Sequence, residues 1–508
     1  LALTALFAVY RLEKRFRIAA ALPALALAVA LYAGVDDLWE RGKNLGAWRR
    51  IMSARTYGGS FATPEAKYLY GEYGDQFNVV AWETVADTIP ATEHASEIVA
   101  LHLAQRPAAR RFLVAGRGGF SICRRLLALP QTETVTWFDP DPVYPSRLLN
   151  RLPERFRAEA GRLETPGDDI RRWLARTRTQ YDAIILDCPD ATTLALNRYF
   201  TREFFQLLKE HLGEPGVIGV RISAGENFMS EDRVNAGASV FATLRSVFAH
   251  LVVKPGDESW LMVSGSPGLI TAPAALRDRF AAIPGADKLY PAAGLMALYL
   301  PQRTAYETQC FEAAIQDTPA DLLLNTDRSP RALLHSLLFA AREAGGAASL
   351  GGFIRMLALH GLLVLPVGLL LFPLLRIVFL VRSRGSGRPA DGVPFPAFDS
   401  YALVFTTGAA GMGISMVLMY LYQSAFGSVF LHVGLISALF MAGLAIGSAA
   451  SARLLTDPAR RSSVLLCLAI LLQTLLCGVI LFMAEDLTRV GFAAAFVVSG
   501  LLNGVYVP

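Results

Sequence analysis

The stretch from Arg111 to Asp190 limits the possible folds more than any other part of the chain. A short apolar run, Arg111–Ala115 (RFLVA), leads into Gly116-Arg117-Gly118-Gly119, and a helical pattern over Phe120–Leu129 follows. Val135–Asp139 (VTWFD) predicts a second strand that ends in an acid, and Gly167-Asp168-Asp169 is a polar turn opening another helix. Tyr181–Leu186 (YDAIIL) then runs into Asp187-Cys188-Pro189-Asp190. Strands alternating with helices predict βαβ units and a parallel sheet. Ligands in such sheets sit at the carboxyl ends of the strands. The glycines and acids just named all fall at such ends, which predicts a single site.

The residue types suggest what that site does. Glycines after the first strand let a ligand approach the backbone and expose amides at a helix start. An acid about 20 residues further on, here Asp139, can accept both hydroxyls of a ribose. Asp168 is placed to bond an adenine amino group, and Asp187 and Asp190 put two carboxylates where an amine or cation would bind. Each has a plainer explanation, since βα turns carry glycine for geometry and acids cap helices. Acids after all three later strands favour the shared site.

Outside this stretch the chain is divided by hydrophobicity. Of its 508 residues 53% are hydrophobic, and the excess lies in long runs, predicting a membrane protein with one globular domain. Ile18–Gly34 is a candidate span, with Leu1–Tyr10 as the tail of another across the basic loop Arg11–Arg17. Phe353–Val381, broken by Pro366 and Pro373, is followed by Tyr401–Tyr422, Phe430–Ala450, Val464–Met483 and Phe492–Val507. Gly408, Gly411, Gly413, Gly427, Gly434, Gly443 and Gly447 predict close helix packing. Because the chain starts at Leu1 and stops inside an apolar run, it is expected to be a fragment with spans missing at both ends. The short loops rich in arginine, Arg11–Arg17, Arg382–Ser400 and Ser451–Ser463, are predicted to be cytoplasmic. That places the globular domain outside the cytoplasm. A net charge of +5 gives no case for nucleic acid, and five scattered cysteines without a CxxC pair predict neither disulfides nor a metal site.

The remaining patterns complete the expected architecture. Tyr57–Pro90 carries β-type runs, and Ala95–Gln105 is predicted helical. Beyond Asp190 the chain predicts a helix (Tyr199–Leu212), a strand (Val217–Ile222), a helix (Glu231–Phe248) and a hairpin of Leu251–Lys254 with Trp260–Ser264. A parallel sheet closed by an antiparallel hairpin is the layout of adenosylmethionine-dependent transferases. The expected fold is thus an α/β Rossmann-like domain inserted between α-helical transmembrane segments. Residues 1–34 are membrane segments and 35–350 the domain. Within it, 55–100 is a small β-rich entry, 101–270 the core and 271–350 a helical extension, and 351–508 is a C-terminal bundle.

Phe112–Leu127 (FLVAGRGGFSICRRLL), Val135–Asp141 (VTWFDPD), Tyr181–Asp190 (YDAIILDCPD) and Phe200–Phe205 (FTREFF) resemble the glycine loop, acidic strand, catalytic strand and following helix of the spermidine synthase family. Leu324–Pro330 (LNTDRSP) and Tyr401–Leu454 are similar to its membrane-embedded, transporter-fused subgroup, and Phe440–Ser451 is reminiscent of major-facilitator helices. The resemblance implies transfer of an aminopropyl group from decarboxylated S-adenosylmethionine to putrescine. Gln76, Gly116, Gly118, Gly119, Asp139 and Asp168 would then hold the donor nucleoside, Asp187 would orient and deprotonate the attacking amine, and Asp190 would hold the acceptor. The implied partners are a small amine or polyamine, the lipid bilayer of a bacterial inner membrane and a second copy of the chain.

Three positions depart from the family pattern. Gly119 stands where the enzymes carry an acid, Ser96-Glu97 replaces a Tyr-Gln pair, and Arg221 replaces a glutamine. The nucleoside half is kept and the amine half is not. Three readings follow: an aminopropyltransferase, an alkyltransferase using intact S-adenosylmethionine whose carboxylate meets Arg117, or a non-catalytic nucleoside- or polyamine-binding module that regulates the membrane bundle.

Overall fold

The computed structural model describes residues 40–82, 84–157, 162–343, 356, 361, 364–385, 395–426, 430–454, 460–483 and 488–505. The candidate spans before Gly34 lie outside the described residues, as does the start of the run at Phe353. The chain forms two compact units. One takes the described residues before His94 together with the segment from Ser146 through the helix Glu154–Arg157. The other takes the rest.

The first unit is built on an antiparallel four-stranded sheet of β1 (Tyr57–Ala62), β2 (Lys67–Tyr73), β3 (Gln76–Ala81) and β4 (Thr84–Ile89), in that order. Gly74-Asp75 turns β2 into β3, whereas β1 and β2 are joined through Thr63–Ala66 without a glycine. Trp48 is fully buried against Leu69 and Val80 and donates from its indole to the Ser53 carbonyl at 2.9 Å. Gln76 opens β3 and is exposed.

The second unit holds a seven-stranded sheet. Its strands are β5 (Arg111–Gly116), β6 (Thr134–Phe138), β7 (Leu163–Glu164), β8 (Tyr181–Asp187), β9 (Leu212–Ser223), β10 (His250–Lys254) and β11 (Glu258–Ser264), in the order β10-β11-β9-β8-β5-β6-β7. β7, β6, β5, β8 and β9 pair in parallel, while β11 runs antiparallel to both β9 and β10. The central strands are buried along their length, which is why they read as continuous apolar runs. Helices α1 (Thr92–Gln105), α2 (Gly119–Leu127), α3 (Ile170–Arg176), α4 (Arg202–Glu210) and α5 (Glu231–Arg245) connect and cover them. α6 (Pro301–Asp317) and α7 (Arg331–Glu343) form the helical extension.

Several limits differ from the sequence expectation (β9 starts at Leu212 and α5 ends at Arg245), and two of them have clear local reasons. α2 stops at Leu127 because the Thr132 hydroxyl takes the Leu126 carbonyl at 2.6 Å. α4 starts at Arg202 because the Thr201 hydroxyl accepts from the Phe204 amide, leaving Arg198–Phe200 as a single 3-10 turn.

Among the described residues five apolar helices follow: α8 (Val364–Gly385), α9 (Phe395–Phe426), α10 (Phe430–Leu454), α11 (Arg460–Met483) and α12 (Arg489–Gly504). Two of them, over Val404–Gln423 and Gly434–Arg453, are long and apolar enough to cross a membrane. The glycine expectation holds in part. A methyl group on Gly443 or Gly447 would stand 2.2 Å from the Val497 carbonyl or 2.1 Å from that of Leu501. On α12, Gly500 and Gly504 meet the Phe440 and Leu444 carbonyls as closely. α10 and α12 therefore touch backbone to backbone. Gly408, Gly413 and Gly434 have open space beside them, and Gly427 lies outside the described residues.

The segment Leu324–Pro330 is a junction. Asn325 donates to the Phe200 carbonyl at 3.0 Å and accepts from the Ala332 amide at 3.2 Å, tying α4 to α7. Asp327 takes both outer nitrogens of Arg171 on α3, at 2.7 and 2.9 Å, and its carbonyl accepts the hydroxyl of Tyr420 on α9.

Candidate functional site

Strand register brings Gly116, Asp139 and Asp187 to one place, while Gln76 belongs to the other unit. Gly116 pairs with Asp187, and Ala115 pairs with Phe138, so Asp139 follows at the level of Gly116. Three adjacent strand ends thus present a glycine turn flanked by two acids. Asp139 is buried, and its Oδ1 accepts the Asp141 amide at 2.9 Å, which fixes the carboxylate.

The glycines are there for two reasons. Gly118 caps α2 at φ +75°, a left-handed conformation that glycine adopts without strain. No side chain caps the helix, so its first amides face the turn. Gly116 and Gly119 instead answer to protein packing. A methyl group on Gly116 would lie 2.0 Å from the Asp187 carbonyl oxygen, and one on Gly119 would lie 2.5 Å from the Trp137 indole nitrogen. Trp137 thus explains why no acid stands at 119: there is no room for one. Its indole N–H is buried with no hydrogen-bond partner among the described residues, so it is a donor at the edge of the turn.

In the third turn the two neighbouring acids have separate tasks. Asp169 caps α3 and pairs with the buried guanidinium of Arg198 through bonds of 2.8 and 3.1 Å. Burial pushes the Asp169 carboxyl up, and Arg198 more than reverses it, leaving the pKa below the usual carboxylate range. Asp168, the expected adenine contact, accepts the Asp169 amide at 2.9 Å and from Arg172 at 3.0 Å, with Arg176 at 3.5 Å. An adenine amino group would share it with two arginines.

At the ends of β8 and β9 the charges are already matched. Arg221 Nε lies 2.7 Å from Asp187 Oδ1, while its outer nitrogens reach Glu258 and the Cys188 carbonyl, each at 3.1 Å. Burial opposes the Arg221 charge, and Asp187 and Glu258 more than restore it. The other Asp187 oxygen faces His94 Nε2 at 3.7 Å, and Asp187 holds the His94 pKa above 6.5. Sequence reasoning missed His94; its position early in α1 carries no signal until the sheet places Asp187 opposite. Glu97, at the replaced Tyr-Gln position, pairs with Lys254 at 3.2 Å. Asp190 accepts the Ser223 amide at 3.1 Å and opens on a cavity of about 210 Å³ shared with Arg233, Ser336 and Phe339. Among the described residues no group of three or more His, Cys, Asp or Glu side chains could hold a metal ion.

Five parallel strands, an antiparallel β11 inserted before β10 and a site at the carboxyl ends define the Rossmann-like fold of adenosylmethionine-dependent transferases. Residues 93–249 match the spermine/spermidine synthase domain, so this part of the chain is spermidine synthase-like. Polyamine aminopropyltransferase 2 of Ralstonia nicotianae is 28% identical over 121 residues, covering 23% of this chain and 24% of that protein. Polyamine aminopropyltransferase 1 of Streptomyces coelicolor is 26% identical over 167 residues, 32% of this chain and 31% of that one. The chain thus spans about a quarter to a third of the length of these curated relatives. Spermidine synthase from Thermotoga maritima superposes with a TM-score of 0.39 at 15% identity, over 50% of this chain and 88% of that one.

Proposed function

We propose that the chain is a membrane-embedded, spermidine synthase-like transferase that binds S-adenosylmethionine or its decarboxylated form and alkylates an amine or polyamine. The observation that carries this reading is the convergence of Gly116, Asp139 and Asp187 on three adjacent strand ends. Asp139 accepts the ribose hydroxyls, with the first α2 amides and the Trp137 N–H around the rest of the nucleoside, and Asp168 is assigned to the donor. No metal is required.

An amine attacks only when neutral, so a group at the site must take its proton. Asp187 orients the amine, but its charge is matched by Arg221. His94 is placed to accept the proton, because Asp187 raises its pKa by stabilising the imidazolium. Asp190 holds the far end of the acceptor. The remaining work is alignment of amine, carbon and sulfonium leaving group. The test is turnover of labelled donor, in both forms, with a panel of diamines and polyamines. Transfer that is lost in Asp187→Asn supports the reading, and absence of transfer from either donor to any amine sinks it.

A second reading, the non-catalytic module, has an observation of its own. The Asp187–Arg221–Glu258 chain satisfies the amine end of the site without any ligand. Sidedness bears on the same choice. Tyr420, which bonds Asp327, lies at the end of α9 nearest the uncharged residues 423–427 and away from the arginine-rich Arg382–Ser400. That supports placing the domain opposite the basic loops, outside the cytoplasm, where cells supply no adenosylmethionine.

A further inference from the structure

Among the apolar helices, burial and hydrogen bonding part company at one level. A methyl group on Gly411 of α9 would stand 2.7 Å from Asn503 Oδ1 on α12, and the rings of Tyr422 and Phe492 are 5.6 Å apart. Eleven residues forward on α9 (411 to 422) thus correspond to eleven back on α12 (503 to 492), which makes the pair antiparallel and fixes its register. Ser415, four residues past Gly411, then lies level with Ser499, four before Asn503. Ser499 is 0% exposed and Asn503 7%. The Ser415 and Ser499 hydroxyls and Asn503 Oδ1 are buried with no hydrogen-bond partner among the described residues. The Asn503 amide nitrogen donates to the Ser499 carbonyl at 2.8 Å, so the atom of this side chain without a partner among the described residues is its oxygen, an acceptor.

A third helix contributes at the same height. Leu476 and Ile480 of α11 pack in the apolar cluster that holds Phe492 and Phe496. Gln473 lies three residues beyond Leu476, as Ser499 lies three beyond Phe496, each leading away from the short α11–α12 connection. Both polar atoms of the Gln473 amide are likewise buried without a partner among the described residues.

Polar groups withheld from water are normally satisfied, and within a membrane they cluster on paths or sites for polar solutes. The chemistry here is narrow. The oxygens are neutral, and α9 to α12 carry a single acid, Asp399, twelve residues from Gly411. Divalent ions take carboxylates as ligands. Neutral hydroxyl and amide oxygens suit a small monovalent cation, whether an alkali-metal ion or a protonated amine.

We propose that Ser415, Ser499 and Asn503, with Gln473, form a binding site for a small monovalent cation inside the helix bundle. The site is separate from the α/β domain and does not depend on the function assigned there. The test is thermal unfolding of the purified full chain in micelles, in sodium, potassium, ammonium and methylammonium chloride against choline chloride at equal ionic strength. The expected result is an unfolding temperature higher by roughly 3 °C or more in at least one small-cation salt, saturating with concentration. The gain should vanish in Ser499→Ala and in Gly411→Ala, whose new methyl crowds Asn503 Oδ1. A gain with the alkali-metal ions identifies a metal site; a gain confined to the ammonium salts identifies an amine site. Equal unfolding temperatures in all five salts, as for a structural water only, would overturn the proposal, as would a gain that persists in both variants. If neither variant folds, saturable binding of radiolabelled sodium, rubidium or methylammonium to the unmodified chain decides, and its absence overturns the proposal.

Discussion

The ends of β5 and β6 and the ends of β8 and β9 belong to one sheet, yet they differ in what they leave for a ligand. On the first side lie uncapped helix amides, the buried indole N–H of Trp137 and an acid held in place by a backbone bond. On the second, a partly buried arginine occupies the acid and is itself shared with Glu258. The first side resembles a socket and the second a closed circuit. On the proposed reading, nucleoside binding and group transfer are therefore separable, because one can be retained while the charge pattern of the other is rewritten.

The comparison rests on a rigid third turn, which yields the largest expected effect. Asp169→Ala leaves Arg198 buried without its counter-charge and removes the cap of α3, and should cost about 3–5 kcal/mol in chemical denaturation of the purified chain. A loss below about 1 kcal/mol would mean that the pair does not anchor the turn. Next comes the socket itself. Asp139→Ala should weaken S-adenosylhomocysteine binding by roughly 1.5–3 kcal/mol in calorimetry, whereas Asp187→Asn should leave it nearly intact. Equal losses would erase the distinction between the two sides.

The closed side is sharpened by reopening it. Arg221→Gln frees Asp187, and the affinity for 1,4-diaminobutane should rise about tenfold, or about 1.4 kcal/mol. An unchanged affinity would show that something other than Arg221 closes this end. The smallest effect is one of pH. The His94 pKa is raised in the folded state, so its stabilising share is fully present below about pH 6.5 and is lost as pH rises through the folded value. The denaturation midpoints of the parent and of His94→Gln should converge as the pH is raised above about 6.5. A constant gap would remove Asp187 as the cause of the shift.

How much of this was legible in the sequence depends on how far apart the interacting residues lie. The glycine turn, the acid of β6 and the paired acids after β8 are local patterns, and each was found where its spacing put it. The parallel sheet and its closing antiparallel hairpin were legible in the alternation, whereas the order of the strands and the two-residue β7 were not. Long-range pairings were not legible. Arg221 was visible as a replaced residue, but its contact with Asp187 depends on β8 and β9 being neighbours. Asp168 and Asp169 are adjacent and chemically identical on paper; only the fold shows that Asp169 carries the structural load and Asp168 faces Arg172. The glycine at 119 signalled a lost contact, while its cause, the Trp137 ring, comes from the next strand. Among the bundle glycines, Gly443 and Gly447 were indistinguishable from Gly408 or Gly413 until a partner helix was in place.

The backbone contact between α10 and α12 has a bearing on transport. Four glycines let two helices meet with carbonyl oxygens where side chains would otherwise stand, so nothing the size of a solute fits along that seam. A conduit through this part of the bundle would have to pass on the other faces of α12, toward α9 and α11. The moving parts would have to lie there too, since helices joined this closely slide or tilt together. A bulkier residue at Gly447 or Gly504 would act as a wedge and force these two helices apart.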